Sequence, residues 1–187
     1  PFTVPELEEI CGCDLLRTPE ITNLGYTDSR GILELREEIA KLYPGRTTDN
    51  VLITTGAIEA NYLVFMALLR PGDVVFTEFP AYQQLYEVPR ALLSEVKLWE
   101  LRSESNYRPD ISKLDATMAA SGTRMIVINH PHNPTGASLD AGSMAAICEI
   151  ADQYGAVLLS DEVYRGLTLV DGIATPSAQL FSDNAIT

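Results

Sequence analysis

Met125-Ile126-Val127-Ile128-Asn129-His130-Pro131-His132-Asn133-Pro134-Thr135-Gly136 is the stretch from which the fold is read. Four apolar residues, two of them β-branched isoleucines around a valine, form a short run that is apolar throughout and therefore reads as a strand buried on both faces. It ends in asparagines, histidines, prolines and a glycine, a stiff polar turn carried to the rim of a sheet. In α/β proteins that rim is where ligands bind.

Working outward, the same alternation recurs. On the C-terminal side, Asp140 is placed to cap a helix running to about Tyr154, and Ala156-Val157-Leu158-Leu159 is a further strand before Asp161. On the N-terminal side, Ile111 to Ala120 reads as a helix, Val96 to Leu101 as a strand, Tyr82 to Leu92 as a helix and Asp73 to Phe76 as a strand. Gly56 opens a helix over about 57–69, with Ala60, Leu63, Val64, Ala67 and Leu68 on one face, closed by Pro71-Gly72-Asp73. Val51-Leu52-Ile53-Thr54 is expected to be a buried strand. Ile32, Leu35, Ile39 and Leu42 place an amphipathic helix at about 30–43, capped by Asp28 or Ser29 and ended by Pro44-Gly45. Only Val4 to Ile10 suggests a helix nearer the N-terminus. Strands and helices alternating in this way predict an α/β fold, three layers with a mostly parallel sheet covered on both faces. The expected organisation is an N-terminal segment over 1–27 and a partial large domain over 28–187.

Composition narrows the function. With 187 residues, 46% hydrophobic, the chain can bury one sizeable core. Thirteen basic residues among 26 acidic ones give a net charge of −13, the wrong balance for neutralising phosphates, so no nucleic-acid partner is expected. No apolar run approaches the roughly 18–20 residues of a membrane span, and the N-terminus lacks the basic-then-apolar order of an export signal. An odd count of cysteines, Cys11, Cys13 and Cys148, with Cys11-Gly-Cys13 too close to staple anything, fits free thiols in a reducing, cytoplasmic setting. The chain starts at Pro1 without an initiator Met and stops as a new β-like run begins at Ala185, so it is expected to be a fragment of a longer protein.

A parallel sheet brings the residues following each strand to one rim, so four segments are collected as one candidate site: Thr55 to Ile58, Glu78 to Tyr82, Asn129 to Gly136 and Ser160 to Tyr164. Gly56 to Glu59 passes from strand to helix with small residues, whose free amides suit a phosphate, although a tight turn without a ligand explains them equally well. Neither a dinucleotide fingerprint nor a Walker A loop is present, which removes the nucleotide-hydrolase reading of Leu158-Leu159-Ser160-Asp161-Glu162. A desolvated Asp161 needs a partner, such as a protonated ring nitrogen or the amides of the residues after it. His130, His132 and Asp161 form a conceivable chelate, but the stiff H-x-H with its intervening proline and the lack of a neighbouring cysteine favour turn roles and no metal. Tyr82 offers a ring for stacking on a flat ligand, or simply a core tyrosine.

Taken together, Tyr26…Gly31…Leu35-Arg36, Thr55-Gly56-Ala57-Ile58-Glu59-Ala60, Pro71-Gly72-Asp73, Pro80-Ala81-Tyr82, Asn129-x-Pro-x-Asn133-Pro134-Thr135-Gly136 and Asp161-Glu162-Val163-Tyr164 resemble the large domain of fold-type I pyridoxal-phosphate enzymes, specifically the class I/II aminotransferases. The last two motifs, about 25 residues apart, are the most specific. The resemblance implies pyridoxal 5′-phosphate as cofactor, an amino acid and a 2-oxo acid as substrates, and a homodimer. It implies that Ala57 and Ile58 give backbone amides to the cofactor phosphate, that Tyr82 stacks on the pyridine ring, and that Asn133 and Tyr164 bond its phenolic oxygen. Asp161 is implied to face the ring nitrogen, keeping it protonated and the ring electron-poor. Tyr26 resembles the tyrosine that reaches the partner subunit's phosphate. Pro134 would fix the direction of Asn133, a cis Asn133-Pro134 bond being one way to do so.

Two departures stand out. Ile58 replaces the polar side chain common at that position, leaving only the main chain for the phosphate. Of the three lysines, Lys41, Lys97 and Lys113, none has the context of the Schiff-base lysine, which is expected shortly beyond Thr187. The chain by itself is therefore expected to be inactive. Gly-Ala-Ile-Glu-Ala-Asn and Tyr82-Gln83-Gln84-Leu-Tyr86 are similar to a subgroup that includes capreomycidine-synthase-like enzymes, so lyase or cyclase chemistry is the alternative to transamination. A further alternative is the cofactor-binding domain of a transcription regulator.

Overall fold

In the computed structural model, residues 2–15, 25–167 and 174–187 are described. Helix α1 (Val4–Cys11) starts at a capping box in which Thr3 and Glu6 satisfy each other's backbone amides, and ends at Gly12 in the left-handed region. Next come α2 (Leu33–Ala40), α3 (Ala57–Leu68), β1 (Val74–Phe79), α4 (Gln84–Ala91), β2 (Glu95–Glu100), α5 (Ile111–Ser121), β3 (Thr123–Asn129), α6 (Ala141–Gln153), β4 (Val157–Asp161) and β5 (Ala185–Ile186). The expected cap at Asp140 forms, accepting from the Ser143 amide at 2.8 Å, and Asp110 likewise accepts from those of Ser112 and Lys113 at the start of α5.

The five strands pair in the order β2-β1-β3-β4-β5, every pair parallel. Successive β3 side chains serve opposite faces. Met125 and Val127 pack with Phe65 of α3 and Leu85 of α4; Ile126 and Ile128 pack with Leu114 and Met118 of α5 and Met144 and Ile147 of α6. Trp99, fully buried, stacks on Phe76 at 5.4 Å between ring centroids. Helices on both faces of a parallel sheet are the three-layer arrangement read from the sequence. Burial of each such large side chain contributes on the order of 1.5–3 kcal/mol.

Chain order and sheet order diverge at one place, and it matters for function. After β1 the chain moves outward to β2, then returns to the other side of β1 to form β3. The connection after β1 leads outward to β2 and the one after β3 leads the opposite way to β4, so the loops following these two neighbouring strands splay apart and open a crevice between their C-terminal ends. The register sets Asn129 directly beside Asp161 at that rim.

Two elements differ from expectation. Val51–Thr54 is not a strand: it is extended, with no ladder partner among the described residues, and Leu52 is exposed. Its Ile53 amide donates instead to the Arg30 carbonyl at 2.9 Å. Gly31 permits that approach, since a Cβ there would lie 2.3 Å from Ile53 Cγ1 and the backbone has φ +97°. The predicted helix over 30–43 is shorter at both ends. Asp28 is occupied by the Arg30 amide and the Arg36 guanidinium rather than by a helix cap, and the chain tightens to i→i−3 bonds at Leu42 and Tyr43. Arg36 and Ala40 are the buried residues of α2, whereas Ile32, Leu35 and Leu42 remain exposed.

Candidate active site

The crevice is a cavity of about 310 Å³ lined by Ala57, Ile58, Asn61, Tyr82, Asn129, Asn133, Asp161, Val163 and Tyr164. Six of the seven expected cofactor-binding residues thus meet in one place, drawn from the ends of β1, β3 and β4 and the start of α3. Tyr26 is the seventh; it is fully exposed and lies outside this lining.

One end of the cavity is the start of α3. Gly56 precedes it with φ +82° and ψ +163°, a combination open essentially to glycine alone. The Glu59 and Ala60 amides turn back to the Gly56 carbonyl, and the Glu59 carboxylate takes the Thr55 amide. The amides of Ala57 and Ile58 have no hydrogen-bond partner among the described residues. Two unpaired donors at a helix N-terminus, where the backbone dipoles add positive potential, suit an anion.

The other end is Asp161, only 8% exposed. Its Oδ1 accepts the Val163 amide at 3.2 Å and its Oδ2 accepts Asn61 Nδ2 at 2.8 Å. Between the ends, Tyr82 and Tyr164 are part-exposed rings beside the opening. Asn133 is held by Asn129, which accepts the Asn133 amide at 2.9 Å through Oδ1 and donates Nδ2 to the Asp161 carbonyl at 2.8 Å. The Asn133-Pro134 bond is cis, as are Phe79-Pro80 and His130-Pro131.

Beneath this rim lies a buried pair. Glu78 Oε1 and His130 Nε2 are 2.7 Å apart, with side chains 1% and 0% exposed, and Glu78 Oε2 accepts the Asn129 amide at 2.9 Å. His130 Nδ1 faces the Ala137 carbonyl at 3.3 Å, so both ring nitrogens have an oxygen partner. His132 Nδ1 meets the Thr135 hydroxyl at 2.8 Å, and burial holds its pKa below the ordinary histidine value. Both histidines thus serve the turn. Asp161 is satisfied by an amide side chain and a backbone amide rather than by either imidazole.

Glu162, next to Asp161, points away from the cavity and ties β4 to the segment before β5. It accepts the Ala178 amide at 2.8 Å and the Ser177 and Ser160 hydroxyls at 3.1 and 3.2 Å, with Arg165 Nε 3.2 Å from its other oxygen. Burial dominates these bonds and raises its pKa above the ordinary 4.5. A carboxyl whose folded value is raised costs nothing while protonated in both states. The cost enters as pH rises from the ordinary value through the raised one. Glu162→Gln should therefore gain stability relative to the unaltered chain as pH rises from 4.5 to 7. Urea midpoints measured across that range check this; curves that stay parallel would contradict it.

Asn61 and Gln84 were not among the expected site residues, and Glu78 was collected with its strand-end segment but given no role. For Asn61 a signal existed: it is a polar residue on the buried face of α3, one turn before Phe65, the other buried residue of that helix. Glu78 and Gln84 lie within or beside a quoted strand-end segment, but nothing local says what they face.

The family model described as aminotransferase class I and II matches residues 18–184. Aspartate aminotransferase of Pyrococcus horikoshii is 37% identical over 166 residues, 86% of this chain and 42% of the relative. Capreomycidine synthase of Streptomyces vinaceus is 38% identical over 157 residues, 82% of this chain and 40% of the relative. A solved structure of a PLP-dependent aminotransferase from Streptococcus suis superposes with a TM-score of 0.89 at 36% identity, covering 98% of this chain and 49% of that one. The chain thus spans two fifths to half of the length of these relatives.

Proposed function

This chain belongs to the class I and II aminotransferase family, and from that premise we propose that it is the cofactor-holding part of a pyridoxal-phosphate-dependent aminotransferase acting on an amino acid and a 2-oxo acid. The observation that carries the reading is the single cavity in which unpaired helix-start amides, a tyrosine ring, an asparagine and a tyrosine hydroxyl, and a buried carboxylate succeed one another.

That donor set fits the cofactor. Ala57 and Ile58 amides bind the phosphate, Gly56 giving the backbone room to approach it. Tyr82 covers the ring. Asn133 and Tyr164 hydrogen-bond the phenolic oxygen, and Asp161 holds a proton on the ring nitrogen. When bound, pyridoxal phosphate supplies an electron sink for negative charge developing at the substrate α-carbon. Asn129 orients Asn133, and the closed rim at Glu78 and His130 keeps water from beneath the site. Among the described residues no lysine or arginine lines the cavity, so these residues hold the cofactor without supplying a covalent partner for it or a cation for the substrate carboxylate. Tyr26 serves a partner subunit in a homodimer.

A second reading, lyase or cyclase chemistry on the same cofactor, is supported by the identity to capreomycidine synthase, as high as that to the aspartate aminotransferase. The holding residues are the same in both readings; the substrate side separates them.

Calorimetric titration tests the cofactor assignment. The chain should bind pyridoxal 5′-phosphate more tightly than pyridoxal, which lacks the anion, and should not interconvert amino and oxo acids by itself. Equal affinities, or no binding of either, would sink the assignment; turnover by the chain alone would overturn its expected inactivity.

A further inference from the structure

Two facts at the Asp161 end are not used by the cofactor reading. Asn61 is 4% exposed and spends its amide nitrogen on Asp161 Oδ2 at 2.8 Å, with Gln84 Oε1 also in reach at 3.4 Å. Gln84 in turn donates its Nε2 to the carbonyl of Ile58. A chain of amides therefore runs from the anion-holding turn of α3, through the start of α4, back to α3 and across to the end of β4.

Resting on the pyridoxal-phosphate reading, we infer that Asn61 is a positioning residue for recognition of the ring nitrogen, and that the Ile58–Gln84–Asn61–Asp161 relay couples that carboxylate to the phosphate-holding turn. A carboxylate turns easily about its last side-chain bond, which has broad two-fold minima. Asn61 from α3 and the Val163 amide from its own strand end grip the two oxygens from different sides, which fixes the plane of the group. The lone pairs left over then face the cavity that Asp161 lines. Water cannot replace Asn61 in this role, because the amide is buried. Packing alone does not account for the residue either: its helix neighbours on that face are apolar, and a leucine would fill the same space without a polar group to satisfy.

The test compares two probes, pyridoxine 5′-phosphate and its analogue with the ring nitrogen replaced by carbon, titrated against this chain and against Asn61→Leu. The unaltered chain should prefer the nitrogen-containing probe, and Asn61→Leu should shrink the ratio of the two affinities by about tenfold. Retained binding of the carbon analogue also reports that the variant is folded. Asn61→Ser, too short to bridge to Asp161 and still polar, should shrink the preference in the same direction. An unchanged preference in both variants, or equal loss for both probes, overturns the role of Asn61 alone. Failure of the unaltered chain to bind either probe overturns the cofactor reading and this inference with it.

Discussion

Replacing Glu78 with alanine should destabilise the chain by about 3–5 kcal/mol, the expected cost of leaving one member of a buried, hydrogen-bonded Glu–His pair without its partner. Both side chains of the Glu78–His130 pair are 1% exposed or less, so water cannot replace the lost carboxylate. The same change strips the Asn129 amide of its acceptor, adding an unsatisfied donor at the end of β3. Urea unfolding followed by circular dichroism measures the loss, and an unchanged m-value shows that it belongs to the folded state. Glu78→Gln, which keeps an acceptor for Asn129, should lose less. A loss under about 1 kcal/mol for alanine would mean that the pair is not closed as described.

Asp161→Asn should weaken binding of pyridoxal 5′-phosphate by about 10- to 100-fold, the worth of a hydrogen bond to a charged group in a buried site. The substitution is nearly isosteric, and one oxygen remains to accept from Asn61 or Val163, so fold stability should change far less than affinity. Calorimetric titration at a fixed pH gives the ratio. Unchanged affinity would remove Asp161 from the cofactor's surroundings and with it the strongest physical reason for the proposed function.

Both predictions concern residues within segments that the sequence singles out, but they differ in how far the sequence explains them. Asp161 ends an apolar strand, and a carboxylate there demands a partner by composition alone. Glu78 also sits at a strand end, yet its partner is 52 residues away and its burial follows from β1 and β3 lying side by side. The histidines illustrate the same limit. Their spacing is visible in the sequence, but one is absorbed by Glu78 and the other by Thr135, and only the folded turn assigns them.

The Val51–Thr54 segment shows the limit for secondary structure. β-branched composition makes a residue fit a pleated surface, but a strand exists only where a neighbour supplies the ladder, and here the described residues supply none. In α2 the apolar spacing was real, yet the buried face is decided by Arg36, which reaches the Gly31 and Thr48 carbonyls and Asp28.

The alternation of strands and helices, the parallel sheet covered on both faces, and the polar turns collected at one rim follow from local order: period, caps and punctuation act over a few residues and are written in the chain. The crevice between the ends of β1 and β3, the grip of Asn61 on Asp161 across 100 residues, and the sealed Glu78–His130 pair were decided only by the tertiary structure. Each depends on which distant groups desolvate one another, and that is a property of neighbours in space rather than in sequence. Asn129-His130-Pro131-His132-Asn133-Pro134 contains both kinds of information: its residues announce a rigid turn, and their hydrogen bonds in the fold divide it into a face that lines the cavity and a base that holds it in place.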